Sequence, residues 1–120
     1  MTNRPYIPGR KDLIWMDFEP ARGREIGKSR PAIVLSDKEY NQRTGLLICC
    51  PISTQIRGAT TEVPVAALDR PCVIVASMVV TLSWRERKTA KIATASTHTF
   101  DQTLLRLLPL IGAESVLSDG

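Results

Sequence analysis

PARGREIGKSRPAIVLS, residues 20–36, changes character at a single bond. Ahead of Pro31 it carries two glycines and five charged side chains, Arg22, Arg24, Glu25, Lys28 and Arg30. Beyond Pro31 come Ala32, Ile33, Val34 and Leu35, apolar without a break. The proline biases Arg30 toward extended backbone, and a short continuous apolar run is the pattern of a strand buried on both faces. A basic loop whose last arginine is anchored on a buried strand suits an anionic ligand, because guanidinium groups bind such ligands best when held in place. A solvated connection needs no such junction.

Working outward, LIWMDF (13–18) reads as a first strand that stops at Pro20. DKEYNQRTG (37–45) is polar and leaves room for one helical turn before a glycine stop. LLICCPIS (46–53) reads as a second buried strand, with Pro51 expected at its end or at a bulge. TTEVPVA (60–66) alternates and contains Pro64, which marks an edge strand. CVIVAS and MVVTLSW (72–84) read as two strands or one bent strand, and KIATAS (91–96) as strand or extended chain. The remainder predicts a helix from about Phe100, with Thr99 and Gln102 at capping-box spacing and Phe100, Leu104, Leu107, Leu108 and Ile111 on one face. Pro109 predicts a kink or an early end to that helix, and a frayed tail follows from about residue 113. Short strands, turns and one late helix imply a mainly β fold, α+β by content: a small twisted antiparallel sheet curled into a partial barrel, with the helix over its open side. Loops then cluster at the rim, where sites are built.

The 120 residues support one domain spanning 1–120, and 43% apolar with 23% charged residues is a globular composition. No apolar run is long enough to span a membrane, and the N-terminus lacks the apolar segment of a secretory signal, so a cytoplasmic protein is expected. The three cysteines, Cys49, Cys50 and Cys72, form no zinc pattern and read as buried thiols in a reducing compartment. A net charge of +4, with arginine exceeding lysine about two to one, favours an anionic partner, nucleic acid first.

No phosphate-binding loop, dinucleotide fingerprint, zinc-protease motif or nucleophile elbow is present, and the acidic residues form no paired cluster for a two-metal site. The lone histidine, His98, has no nucleophile near it in sequence and reads as structural. Trp15 and Trp84, both within apolar runs, read as core or interface residues rather than stacking platforms. What remains is Glu25 and Arg30 on one loop, with the hydroxyls of Ser53 and Thr54 at the end of a buried strand. Such parts suffice for RNA cleavage without a metal. The carboxylate takes the proton of the substrate's 2′-hydroxyl, while the guanidinium and a hydroxyl stabilise charge building on the phosphorus.

These residues sit in blocks that resemble the MazF/PemK family of bacterial toxin endoribonucleases. DFEPARGREIGKSRPAIVLS (17–36) carries the family's E-x-x-x-x-R-P loop as Glu25 to Arg30-Pro31, and YNQRTGLLICCPISTQIRG (40–58) is similar to its second block, whose Pro-x-Thr strand end supplies a hydroxyl. ASMVVTLSWRERK (76–88) resembles the third block and LLRLLPLIG (104–112) the terminal helix. The resemblance spans roughly residues 10–112. It implies an SH3-like barrel of the CcdB/PemK-like type. It further implies a cytoplasmic homodimer that cuts single-stranded RNA sequence-selectively with no metal or other cofactor and is neutralised by a MazE/PemI-like antitoxin. The implied catalytic residues are Glu25, Arg30 and Ser53. The candidate substrate contacts, read from the polar and charged residues of the loops, are Lys28, Ser29, Thr54, Gln55, Arg57, Arg85 and Arg87. Two departures stand out: Ser53 replaces the family's usual threonine, and Ser77-Met78 occupies the place of an Asp-Gln pair. The alternatives are a CcdB-like toxin that binds DNA gyrase without cutting, and a degenerate toxin that binds antitoxin or RNA without cleavage.

Overall fold

The computed structural model of the chain describes residues 5–117. Strand β1 (Asp12–Asp17) pairs antiparallel with β2 (Ser29–Val34) across the basic loop, and β2 pairs with β3 (Leu46–Ser53). Helix α1 (Lys38–Thr44) joins β2 to β3. The far edge of β3 is shared: its first half pairs with β6 (Val80–Ser83), and Ile52 and Ser53 pair with β5 (Cys72–Val75). A 3-10 turn, Ala76–Met78, fills the break between them. Strand β4 (Glu62–Val65) lies outside β5, and β7 (Ala90–Thr94) lies outside β1. The result is one curled antiparallel sheet of seven strands, followed by α2 (Thr97–Leu107), a 3-10 turn (Leu108–Ile111) and α3 (Ala113–Leu117).

Strand β3 has no polar face because both its faces are covered. Cys50 and Ile52 join Leu13, Ile33, Phe100 and Leu107 under α2, while Leu47 and Cys49 join Ile14, Met16, Val34 and Trp84 on the opposite side. Successive strand residues point to opposite faces, so the adjacent thiols enter separate cores. Each fully buried aliphatic side chain contributes about 1.5–3 kcal/mol, which makes this two-sided strand the main source of cohesion.

The prolines sit where a missing N–H does no harm. Pro51 is inside β3, fully buried and opposite Ala32, rather than at the strand's end or a bulge. The Leu35 N–H bonds to the Ile48 carbonyl at 2.8 Å, and counting in twos from that pair turns the Pro51 nitrogen away from β2. It points instead into the break between β5 and β6, where no ladder bond exists. Pro64 follows the same logic on edge strand β4. The bond from Ala76 N–H to the Thr61 carbonyl, 3.1 Å, sets an alternation that turns the Pro64 nitrogen outward. The free edge thereby loses a donor that could recruit another strand.

Other boundaries moved. Strand β2 begins at Ser29, ahead of the proline, because Ser29, Arg30 and Pro31 already face Asp17, Met16 and Trp15. Helix α1 has seven residues rather than one turn: the Asp37 carboxylate caps it by accepting the Tyr40 N–H at 2.8 Å, and Gly45 ends it at φ 72°. Helix α2 starts three residues earlier than expected, at Thr97. Ser96 is the cap, its hydroxyl accepting the Thr99 N–H at 3.1 Å. Pro109 ends the helix as anticipated and lies in the first turn of the following 3-10 segment, where it is tolerated. Residues 113–117, expected to fray, form α3; the last three residues of the tail lie outside those described. Among the described residues no helix is long and apolar enough to cross a membrane.

Asn41 locks α1 to the sheet from a fully buried position. Its amide donates to the Pro8 and Ser36 carbonyls at 2.8 and 3.2 Å, and its side-chain oxygen accepts the Ser36 hydroxyl. Replacing it with alanine strands three buried polar groups. Asn41→Ala is expected to lower stability by about 2–4 kcal/mol in urea titrations, against about 0.5 kcal/mol or less for exposed Gln42→Ala. Burial pushes the Cys49 thiol up and that of Cys50 to about 12. The folded protein therefore keeps protons that the unfolded chain loses near an ordinary thiol pKa of about 8.5. Stability present below that pH is lost as pH rises toward the folded values. Urea midpoints should fall between pH 8 and 10, and a thiol reagent at pH 8 should modify Cys49 and Cys50 only after unfolding.

Candidate active site

The loop from residue 18 to 28 is held by its own acid. The Phe18 N–H bonds to the Lys28 carbonyl at 2.9 Å and closes its base. Within it, the Glu19 carboxylate accepts the Ala21 N–H on one oxygen and the Lys28 N–H on the other, each at 3.0 Å. Gly27 is required by that packing, since a Cβ there would lie 2.7 and 2.9 Å from the two Glu19 oxygens. Lys28 adopts φ 64°, a left-handed conformation rare for lysine. From behind, Arg87 donates to the Asp17 and Glu19 carbonyls at 3.1 and 2.7 Å.

This scaffold aims Arg30. Its Nε–H donates to the Gly27 carbonyl at 2.8 Å, which fixes the plane of the guanidinium. Among the described residues Arg30 has no salt bridge. Burial lowers its pKa, and the Glu19 charge partly opposes that shift. A partly desolvated cation with no paired carboxylate favours an incoming anion.

Ser53 joins Arg30. The last β2–β3 pair is Ala32 with Pro51, and beyond it strand alternation leaves Arg30 and Ser53 on the same face, where both line one cleft. The intervening Pro31 sits where β2 would donate its next bond to β3, and it has no N–H to give. The ladder stops there, β3 turns to β5, and the strand ends border a cleft of about 620 Å³. Arg24, Arg30, Ser53, Gln55, Arg57 and Glu62 line it. Glu62 organises the far wall: its carboxylate accepts the N–H groups of Arg57, Gly58 and Ala59 between 2.9 and 3.3 Å. Arg57 in turn reaches the Gln55 side chain at 3.4 Å, and the Ser53 hydroxyl accepts the Gln55 N–H at 3.0 Å.

Glu25 lines the adjoining cleft, of about 220 Å³, with Phe18, Pro51, Ser77 and Met78. Ile26 and Met78 border both clefts and form the wall between them. The Glu25 carboxylate accepts the Arg22 N–H at 2.6 Å, an exposed contact within its own turn. The structure thus brings Arg30, Ser53, Gln55 and Arg57 to one cleft and Glu25 to its neighbour, with Ile26 and Met78 lining both. Lys28, Ser29 and Thr54 fall into a third cleft, which Arg30 also borders. Arg85 lies elsewhere, stacked on Trp84 and donating to the Gln42 carbonyl at 2.7 Å. Arg87 is committed to the loop carbonyls described above. Sequence reasoning missed Glu19, Gly27 and Glu62, whose roles are to hold backbone, and Ile26; it singled out Arg24 and Met78 without placing them at this site. The glycine ahead of Lys28 and an acid at each loop's edge were the available signals.

Among the described residues no three histidine, cysteine, aspartate or glutamate side chains converge as a metal site. The arrangement offers a fixed guanidinium, a hydroxyl and further arginines to an anion, while the Glu25 carboxylate lines the neighbouring cleft.

Residues 9–111 match the profile of the family described as PemK-like, MazF-like toxin of type II toxin–antitoxin system. The chain is 37% identical to the endoribonuclease toxin MazF of Escherichia coli strain K12 over 107 residues, 89% of this chain and 96% of that protein. The crystal structure of MazF from Deinococcus radiodurans superposes with a TM-score of 0.87 at 35% identity, covering 90% of this chain and 99% of that one. A MazE–MazF complex from the same organism matches with a TM-score of 0.77 at 31% identity, over 90% of this chain and 99% of that chain.

The loop geometry predicts a spectroscopic signature. The Arg30 Nε–H should give a distinct, slowly exchanging nitrogen–proton peak in the folded protein. Gly27→Ala, by crowding the Glu19 carboxylate, should shift or broaden that peak while leaving amide peaks of β3 and α2 in place.

Proposed function

We propose that this chain, which belongs to the PemK-like, MazF-like toxin family of type II toxin–antitoxin systems, is an endoribonuclease that cleaves single-stranded RNA by attack of the substrate's own 2′-hydroxyl. The observation that carries the reading is the convergence of Arg30 and Ser53 at the parted ends of β2 and β3. It puts a guanidinium and a hydroxyl into one cleft, with Glu25 in the cleft that shares Ile26 and Met78 with it. Glu25 takes the proton from the 2′-hydroxyl, and the 2′-oxygen bonds to phosphorus. Arg30 and Ser53 stabilise the charge that gathers on the phosphorane oxygens, where fixed donors matter most. The bond to the 5′-oxygen breaks, that oxygen takes a proton from water, and the products are a 2′,3′-cyclic phosphate and a 5′-hydroxyl. Arg30 acts as a charge rather than a proton shuttle, because a guanidinium gives up its proton too rarely.

No metal is required by this route. Arg24 and Arg57 extend the positive lining along the RNA backbone, each phosphate contact steepening the salt dependence of binding. Arg85 and Arg87, both bound to carbonyls, act as structural arginines rather than RNA ligands. Met78, where the family usually carries glutamine, presents an apolar wall, which favours a base preference different from that of relatives with Asp-Gln. In this reading the protein is a cytoplasmic homodimer neutralised by a MazE/PemI-like antitoxin, the antitoxin being supported by the MazE–MazF complex of a relative. An acidic tail would compete with RNA for the same arginines. The gyrase-binding alternative is disfavoured, since the relatives at 37 and 28% identity are named as endoribonucleases.

In buffer containing EDTA, the purified protein is expected to cut labelled unstructured RNA to 2′,3′-cyclic phosphate ends. Arg30→Ala and Glu25→Ala should each slow single-turnover cleavage by about 100-fold or more, and Ser53→Ala by about 10-fold or more, with the dimer still folded. Wild-type rates in Arg30→Ala would remove this mechanism.

A further inference from the structure

We propose that the third cleft, under Trp15, is a stacking subsite for one unpaired nucleobase of the RNA, next to the scissile phosphate. This rests on the endoribonuclease reading. Trp15, which the sequence placed in the core or at an interface, is not in the core of the chain: it is 45% exposed. Its strand neighbours explain why. It pairs with Pro31 on one side and Ala90 on the other, and neither is large enough to cover an indole. Its alternation partners on β1, Ile14 and Met16, are fully buried on the opposite face. Trp15 is thus left as a flat aromatic surface at the border of a cleft of about 500 Å³.

That cleft has the charge for a nucleotide. Lys28, Arg30 and Arg70 line it against one acid, Asp69, with the Thr54 hydroxyl at its edge. Lys28 is held there by the left-handed backbone that its N–H bond to Glu19 stabilises. An aromatic face beside cations is how sequence-tolerant sites hold single strands: the base stacks and the phosphates meet positive charge.

The cleft also joins the reaction centre. Arg30 borders both, so one guanidinium stands between the scissile phosphate and this pocket. Ser53 and Thr54, consecutive at the end of β3, point to opposite faces, one hydroxyl into each cleft. A strand crossing the end of β3 would pass from one hydroxyl to the next, its backbone over Arg30 and its next base against Trp15. Trp15 is a substrate-binding residue in this scheme, and Glu25 and Ser53 keep their chemistry without it.

The test uses the full-length dimer and an oligoribonucleotide spanning a cut site mapped with wild-type protein, made uncleavable by a 2′-deoxy residue at the cut. Trp15→Ala should raise its Kd by about 5- to 100-fold, and Trp15→Phe should recover most of that loss. In cleavage assays Trp15→Ala should raise KM far more than it lowers kcat. Abasic substitution along the RNA should locate one nucleotide whose base matters to the wild type and not to Trp15→Ala. Unchanged RNA affinity in Trp15→Ala would overturn the proposal, as would abasic effects that add to the mutation at every position. Weakened binding of an acidic antitoxin peptide alone would reassign the cleft to antitoxin and overturn it, and so would dissociation of the dimer. Wild-type protein that neither binds nor cuts RNA would sink the enzymatic reading itself, which separates the two failures.

Discussion

Everything at the rim depends on a hydrogen bond that cannot form. Pro31 stands where β2 should donate to β3, and lacking an N–H it ends the ladder one residue short of Arg30 and Ser53. Had the ladder continued, the two side chains would lie on a closed sheet with their backbones tied together. Because it stops, the strands part while their register is still set by the buried pairs behind, Ala32 with Pro51 and Ile33 with Cys50. The cleft is therefore open at the ends and rigid at the root. Burial on both faces of β3 supplies the rigidity.

The loop that carries Glu25 and leads into Arg30 borrows its order from acids bound to backbone N–H groups. Glu19 ties Ala21 and Lys28 through backbone N–H groups, and Glu62 does the same for Arg57, Gly58 and Ala59 across the cleft. A carboxylate bound to backbone donors spends its charge on holding the chain and leaves the arginine side chains without a partner. Arg87 completes the division of labour by bracing the loop from behind. Positive charge thus faces the clefts while compensating acids sit at the loop roots. That separation makes a basic rim compatible with a folded protein of modest net charge.

Apolar runs and turn residues made most of the strands legible, since covered faces demand continuous hydrophobic side chains and reversals demand glycine or a polar cluster. The errors arose where local rules had several solutions. Pro51 read as a terminus because a proline in a central strand removes a ladder bond, yet here the ladder is already interrupted by the turn at residues 76–78. Thr99 read as a helix cap by spacing, while Ser96, three residues earlier, held the extended backbone that capping needs. Trp15 read as core or interface because its neighbours in sequence are apolar, and the core half of that reading failed because its neighbours across the sheet, Pro31 and Ala90, are too small to bury it.

By itself the sequence determined the mainly β class, the two-sided burial of the strands after Pro31 and before Ser53, and the chemical inventory of acid, guanidinium and hydroxyl. These follow from residue type and local periodicity, which need no partner strand. Only the tertiary structure decided which of those groups meet. The pairing of β2 with β3 behind the rim brought Arg30 and Ser53 to one cleft, and the path of one loop placed Glu25 beyond a wall of Ile26 and Met78. Thr54 and Lys28 went to the opposite face with Trp15. Register is a property of two segments at once, chosen by the burial of residues far from the site, and no stretch read alone contains it.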